Sequence, residues 1–378
     1  MNKSLSSLLA LVLTGAATSV FADITIGVTL SATGPAASLG IPEKNTVAIL
    51  PKTIGGEKVN YIVLDDGSDP TAASKNARKL VSEDKVDVIF GSSTTPTATA
   101  VLEVAAESKT PQIALAPFPR PADKGAWAFQ APQDVSIMAG AILGHMVANG
   151  VKAVAFIGYS DGYGELWLRA MNSLAPAKGI KMVAVERFNR TDTSVTGQIL
   201  KILTTNPDAV LVVGSGTPAV LPQATLIERG YKGRIYQTHG VANNDFLRVG
   251  GKNVEGAVLP LGPVLVPEQL PDGNPSKKAA LEYVKAYEGV YGAGSHSTFG
   301  AHTWDASLML QRAVPEALKK AKPGTAEFRV ALRDALESIK ELPASHGVFS
   351  FSPTDHNGLD HRAVVMVHVE NGAWKLMR

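Results

Sequence analysis

Two short stretches carry residue types that could do chemistry. Gly158, Ser160 and Gly162 spell G-x-S-x-G inside VAFIGYSDGYGELWLRAM, between a strand-like apolar run and a helix-like one. That is the pattern and context of a hydrolase nucleophile elbow. Acyl transfer also needs a base and an oxyanion hole. Asp305 with His346, His356 or His361 follows in suitable chain order, but nothing around them marks the role, and no H-G-G-G-type loop follows an early strand. The motif is therefore read as a strand-to-helix turn, with Ser160 or Asp161 capping the helix, and hydrolysis stays a minor alternative. The second stretch is GSSTTPTATA, residues 91–100, where Ser92, Ser93, Thr94 and Thr95 follow the apolar run VDVIF. Hydroxyls beside the N–H groups that open a helix suit a carboxylate, because the helix end favours negative charge. N-capping by one of them is compatible with that reading.

Other site chemistries find no support. The eight His are dispersed and form no HExxH pattern. LDDGSDP, residues 64–70, lacks the full calcium-loop pattern and reads as a turn with a helix cap. SATGPAASLG carries neither the Lys-Ser/Thr of a P-loop nor G-x-G-x-x-G. The chain has no Cys, which rules out zinc–thiolate sites and disulfides. No cofactor and no metal are expected.

The elements that position these residues alternate along the chain. Apolar runs at 24–30, 59–66, 86–91 and 112–117 are separated by amphipathic stretches. One such helix is expected to run to about Ile54, and others from about Thr71 and Pro96. Continuous apolar strands with helices between them indicate a doubly wound parallel sheet. The rhythm restarts after WAFQAP, with strands expected at 151–159, 181–188, 209–214, 234–240 and 254–260. The fold class is α/β, with two doubly wound lobes. After a Pro- and Gly-rich connection come helical stretches at 276–291, 298–319 and 325–339, then a terminal hairpin signalled by Asn371-Gly372. Return crossings divide the chain into a first lobe, 23–133 plus 263–344, and a second, 134–262 plus 345–378. The hinge between them should hold a cleft.

Residues 1–22 read as a secretory signal: Lys3, an apolar stretch from Leu8 to Leu13, and small residues ending in Val20-Phe21-Ala22. Cleavage after Ala22 lets the protein act in the periplasm, and without a Cys no lipid anchor can form there. The 378 residues carry 36 Lys and Arg against 34 Asp and Glu, a net +2 that falls to +1 without Lys3. That balance gives no reason to expect nucleic acid or direct membrane insertion. A monomer is expected.

The arrangement resembles the periplasmic solute-binding proteins of ABC importers, in particular the branched-chain amino acid (Leu/Ile/Val) binding family of type I two-lobed receptors. The strings that carry the likeness run in order over 23–378. They are ITIGVTLSATGPAASLG, YIVLDDGSDPTAASKNARKLVSEDKVDVIFGSSTTP, GYGELWLRA, GVANNDFLRVGGKNVEGAVL and STFGAHTWDASLMLQRA. The resemblance implies no catalysis, a small-molecule ligand and a permease as partner; a sensor on the same fold is the third reading. It places Ser93, Thr94 and Thr95 on the ligand's carboxylate, Ala116 and Phe118 in the next loop, and the rings of Tyr163 and Phe299 against its apolar part. Leu39 and Gly216 stand where relatives offer aromatic rings, which would widen the pocket. His239 stands where amino acid binders place a Glu for the ligand's ammonium, a charge that a neutral imidazole does not supply. The expected ligand is thus an organic acid without an α-amine, an aromatic carboxylate or a 2-keto acid, with an amino acid as the alternative.

Overall fold

The computed structural model describes residues 23–377; the expected signal sequence lies outside the described residues. The first lobe begins with β1 (Ile24–Leu30), α1 (Ala37–Ile49), β2 (Thr53–Ile54), β3 (Glu57–Asp65) and α2 (Pro70–Ser82). It continues through β4 (Val88–Phe90), α3 (Thr95–Ser108), β5 (Gln112–Ala114) and β6 (Ala128–Gln130). Their sheet runs β2-β3-β1-β4-β5-β6, parallel except for β2. The helix expected to reach Ile54 ends at Ile49. Pro51 and the left-handed pair Gly55-Gly56 instead fold Thr53–Ile54 back on β3 as a short hairpin.

The second lobe holds α4 (Val135–Ala148), β7 (Ala153–Tyr159), α5 (Gly162–Leu174), β8 (Lys181–Phe188) and α6 (Thr196–Thr204). Then come β9 (Ala209–Val213), α7 (Val220–Glu228), β10 (Arg234–Gln237), α8 (Asn244–Gly250) and β11 (Val258–Leu261). The chain returns to the first lobe for α9 (Lys277–Tyr291), α10 (Thr298–Leu318), α11 (Ala326–Glu337) and the small pair β12 (Leu342–Pro343) and β13 (Val348–Phe349). It ends in the second with β14 (Val365–Glu370) and β15 (Ala373–Leu376). The second sheet runs β15-β14-β11-β10-β9-β7-β8. Asn371 and Gly372 both take positive φ, as a two-residue hairpin between right-twisted strands demands.

Strand β1 pairs with both β3 and β4, and β7 with both β8 and β9. Each sheet therefore reverses its order at a point where ligands meet doubly wound folds. The two cores are built mainly from apolar side chains. Ile26, Val28, Phe90 and Ile113 bury against α10 and α11 residues such as Leu310 and Leu332; Phe156, Leu211 and Val212 fill the second core.

The segment 345–363 differs from the sequence expectation, which put it in the second lobe. Phe349, Phe351, Leu359 and Ala363 belong to the first lobe's core. Phe351 meets Phe129 edge-on with centroids 5.4 Å apart, and the amide of Gln130 donates to the His356 carbonyl at 3.0 Å. The final crossing comes just before Val365. The crossings converge where the Gln133 side chain donates to the Ala363 carbonyl at 2.9 Å. Gly262 sits in the same knot: a β-carbon there would lie 2.4 Å from the His346 ring and 2.7 Å from the Gln133 amide nitrogen. His346 is held in turn by Asp305 of α10, which accepts from the amides of Ser345 and His346 and, at 2.9 Å, from the imidazole Nδ1.

Truncating a fully buried ring removes transfer energy and leaves a cavity, a loss of about 3–5 kcal/mol for Phe→Ala. Phe351→Ala should lose that much in urea unfolding. A loss below about 1 kcal/mol would contradict the placement of this segment in the first core.

Candidate functional site

Loops leaving the carboxyl ends of β4, β5, β7, β9 and β10 line a cleft between the lobes. Of the eight residues expected at the ligand, Ser93, Thr94, Thr95, Ala116, Tyr163, His239 and Phe299 line it. Phe118 does not. It packs with Ala98, Leu102 and Ala128 inside the first lobe, where its carbonyl accepts from Gln130 at 3.1 Å.

The hydroxyls of the β4–α3 loop are not equivalent. Thr94 is the N-cap of α3 and forms a capping box with Thr97. The Thr95 hydroxyl donates to the Pro117 carbonyl at 2.6 Å. Both are thus used inside the protein. Ser93 Oγ accepts from the Ser31 amide at 2.8 Å and pairs with the buried Glu43 carboxyl. The Thr95 amide opens α3 and is one of the N–H groups that no helical carbonyl can satisfy. What the first lobe offers an anion is therefore a helix N-terminus and the Ser93 hydroxyl.

Across the cleft, Asp161 caps α5, accepting from the amides of Tyr163 at 2.8 Å and Gly164 at 3.4 Å. The Tyr163 hydroxyl donates to Thr238 Oγ1 at 2.8 Å, which fixes the ring at the wall, and burial pushes its phenol pKa upward. Ser160, the serine of the G-x-S-x-G motif, is exposed and donates to the Asn189 side chain. Asp305 and His346 do pair, but in the first lobe and with Thr298, whose hydroxyl lies 2.8 Å from His346 Nε2. The nominated hydrolase residues are not assembled around Ser160.

Sequence reasoning missed two cleft residues with ionisable side chains, His302 and Arg190. His302 lines the cleft one helical turn after Phe299; that i,i+3 spacing on α10 was the available signal. Neither of its ring nitrogens has a partner within hydrogen-bond geometry, and burial pulls its pKa well below the ordinary value. Arg190 follows the end of β8 and had no motif to mark it. Its Nε donates to Asp161 at 2.7 Å, its Nη1 donates to Ser215 at 2.8 Å, and its guanidinium stacks 4.1 Å over the Tyr159 ring. It is the one Lys or Arg lining the cleft, and no Asp or Glu lines it, among the described residues. His239 is 3 % exposed with Nδ1 unpartnered, and burial lowers its pKa to about 3, so the imidazole is neutral at neutral pH.

Leu39 lines the cleft, and Gly216 does not widen it. Gly216 takes φ of +61°, and a β-carbon there would lie 2.5 Å from Ser38 Oγ and 2.9 Å from Leu39 Cδ1. The missing side chain instead lets the lobes meet.

Comparison with known proteins agrees with this architecture. A model of the periplasmic binding protein family matches residues 23–373. Leu/Ile/Val-binding protein homolog 3 of Brucella melitensis is 24% identical over 94% of this chain and 94% of its own. A crystal structure of an extracellular ligand-binding receptor from Rhodopseudomonas palustris HaA2 shares 50% identity. Its TM-score is 0.93, over 94% of this chain and 100% of that one. An R. palustris ABC transporter solute-binding protein in complex with benzoate is 19% identical with a TM-score of 0.79, over 94% of this chain and 96% of that one, a likeness of fold alone.

A histidine whose folded pKa lies below its unfolded value near 6.5 leaves the native state with fewer protons than the unfolded one. Its contribution to stability is complete above about pH 6.5 and is lost as pH falls toward the folded value, by up to ~1.4 kcal/mol per unit. The Tm of the wild type, followed by calorimetry from pH 7 to 4.5, should therefore fall more steeply than that of His239→Phe. Parallel curves would show that His239 is not held neutral.

Proposed function

The chain belongs to the periplasmic binding protein family, and from that premise we propose that it captures a small organic acid without an α-amine between its lobes. An aromatic carboxylate or an aromatic or branched 2-keto acid fits best, taken up in the periplasm and passed to an ABC permease. One observation carries this reading: the cleft is lined by the N-terminus of α3, capped only by neutral hydroxyls, and by no carboxylate. A buried ammonium would find no counter-charge there, which strongly opposes its transfer from water. An anion finds the uncompensated N-terminus of α3, with Arg190 facing it already paired to Asp161.

In this reading the carboxylate accepts from the Thr95 amide and the Ser93 hydroxyl. The ligand's apolar part lies between Tyr163 and Phe299. His239 and His302, each neutral with an unpartnered buried ring nitrogen, supply a donor or acceptor to a keto or hydroxyl oxygen. Arg190 adds positive potential from the second lobe. The ligand touches both lobes, so it binds the closed arrangement better than an open one, and that differential affinity drives closure. The names of the Brucella relatives favour a branched-chain amino acid as the second reading; the absence of an acid at the cleft speaks against it.

Thermal-shift screening should raise the Tm with benzoate-type acids and 2-keto acids and leave it unchanged with leucine and valine. Leucine binding tightly while the deaminated acids give no response would overturn the assignment. His239→Glu places a carboxylate beside the acid and should weaken its binding by at least ~10-fold, because unpaired like charges in a desolvated site cost several kcal/mol. Unchanged affinity in that variant would remove His239 from the site.

A further inference from the structure

Behind the first wall of the cleft lie two buried carboxyl groups, Glu43 of α1 and Asp66 after β3, at 0 % and 2 % exposure. Their partners differ. Asp66 accepts from the hydroxyls of Thr29, Ser31 and Ser92 and from the Ser68 amide. Glu43 has one partner, the Ser93 hydroxyl, and its Oε1 is buried with none. Of two neighbouring buried carboxyls, the one with fewer donors is the one that holds a proton.

The surroundings agree. Burial and the nearby Asp66 both push the Glu43 carboxyl up, and no basic group offsets them. From α9, Tyr283 and Tyr287 face α1 as phenols that burial keeps neutral. On the buried half of α10, His302 is uncharged and Asp305 is engaged by Ser345 and His346.

The Ser93 hydroxyl has two lone pairs and one hydrogen. One lone pair accepts from the Ser31 amide at 2.8 Å. An ionised Glu43 would take the hydrogen and leave a lone pair turned to the cleft, which repels a carboxylate. A protonated Glu43 uses the second lone pair and leaves the hydrogen free.

We propose that Glu43 is a positioning residue that stays protonated and donates to Ser93 Oγ, turning the Ser93 hydroxyl hydrogen into the cleft as a donor to the ligand's carboxylate. Its part in binding rests on the carboxylate reading above; the placement of the proton does not.

Two readouts separate them. Without ligand, infrared difference spectra of wild type against Glu43→Gln at pH 7 should show the C=O band of a protonated carboxyl. With benzoate as the calorimetric probe, wild-type affinity should fall by up to tenfold per pH unit above the pH at which that band disappears. Glu43→Gln keeps an N–H donor to Ser93 and should hold its affinity within about threefold of the neutral-pH wild type, without the alkaline fall, whereas Glu43→Ala should lose at least ~10-fold. No band at pH 7, or Gln weakening binding as much as Ala, overturns the proposal. Should Glu43→Gln fail to fold, the difference spectrum of wild type against Glu43→Ala at pH 7, and the loss of its band at high pH, decide instead. The band with no benzoate bound by either protein supports the proton's placement and counts against the carboxylate reading instead.

Discussion

The N-terminal ends of α3 and α5 meet across the cleft: a β-carbon at Gly162 would lie 3.4 Å from Thr95 Cγ2. Helix N-termini carry partial positive charge, and two of them facing each other repel unless something negative compensates. For α5 the protein supplies its own answer in Asp161, which caps the helix and pairs with Arg190. For α3 it supplies none, because Thr94 and Thr97 satisfy the cap with neutral hydroxyls. The unmet end of α3 is the feature around which the lining, the hinge and the buried acids are arranged.

Closure depends on what is missing as much as on what is present. Gly216 lets the second lobe reach Ser38 and Leu39, and the Asn243 side chain donates across the gap to the Ser38 carbonyl at 3.4 Å. At the other end of the interface the crossings are knotted by Gln133, Gly262 and His346. His302 stacks on His346 with ring centroids 4.2 Å apart, so an imidazole in the cleft wall rests directly on one in the hinge.

Much of the architecture was legible because buried parallel strands are continuous apolar runs: α4 over 135–148 and β8 over 181–188 fall where the sequence put them. The tail was not. GVFSF reads equally well as a strand of either lobe, and only packing of Phe349 and Phe351 against Phe129 and its neighbours assigns it. At the cleft, the resemblance located the loops, but rotamers and competing partners decided what each side chain does. Phe118 was expected as a wall and became core. Thr94 and Thr95 were expected as hydroxyl donors and spend those hydroxyls on Thr97 and Pro117. Arg190 was invisible, since an Arg after an edge strand is ordinarily solvated and only the fold turns this one toward the cleft. Glu43, inside a helix next to Pro42, gave no sign of burial.

The proposed occupant of the cleft is a carboxylate at α3, with no place for an ammonium. A crystal structure with bound benzoate tests it most directly. The carboxylate should lie on the Thr95 amide and Ser93 Oγ, the ring between Tyr163 and Phe299, and His239 or His302 should touch the ligand. A carboxylate seated elsewhere, with α3 left to water, or an amino acid carried through purification with its ammonium on an acidic side chain, would contradict it.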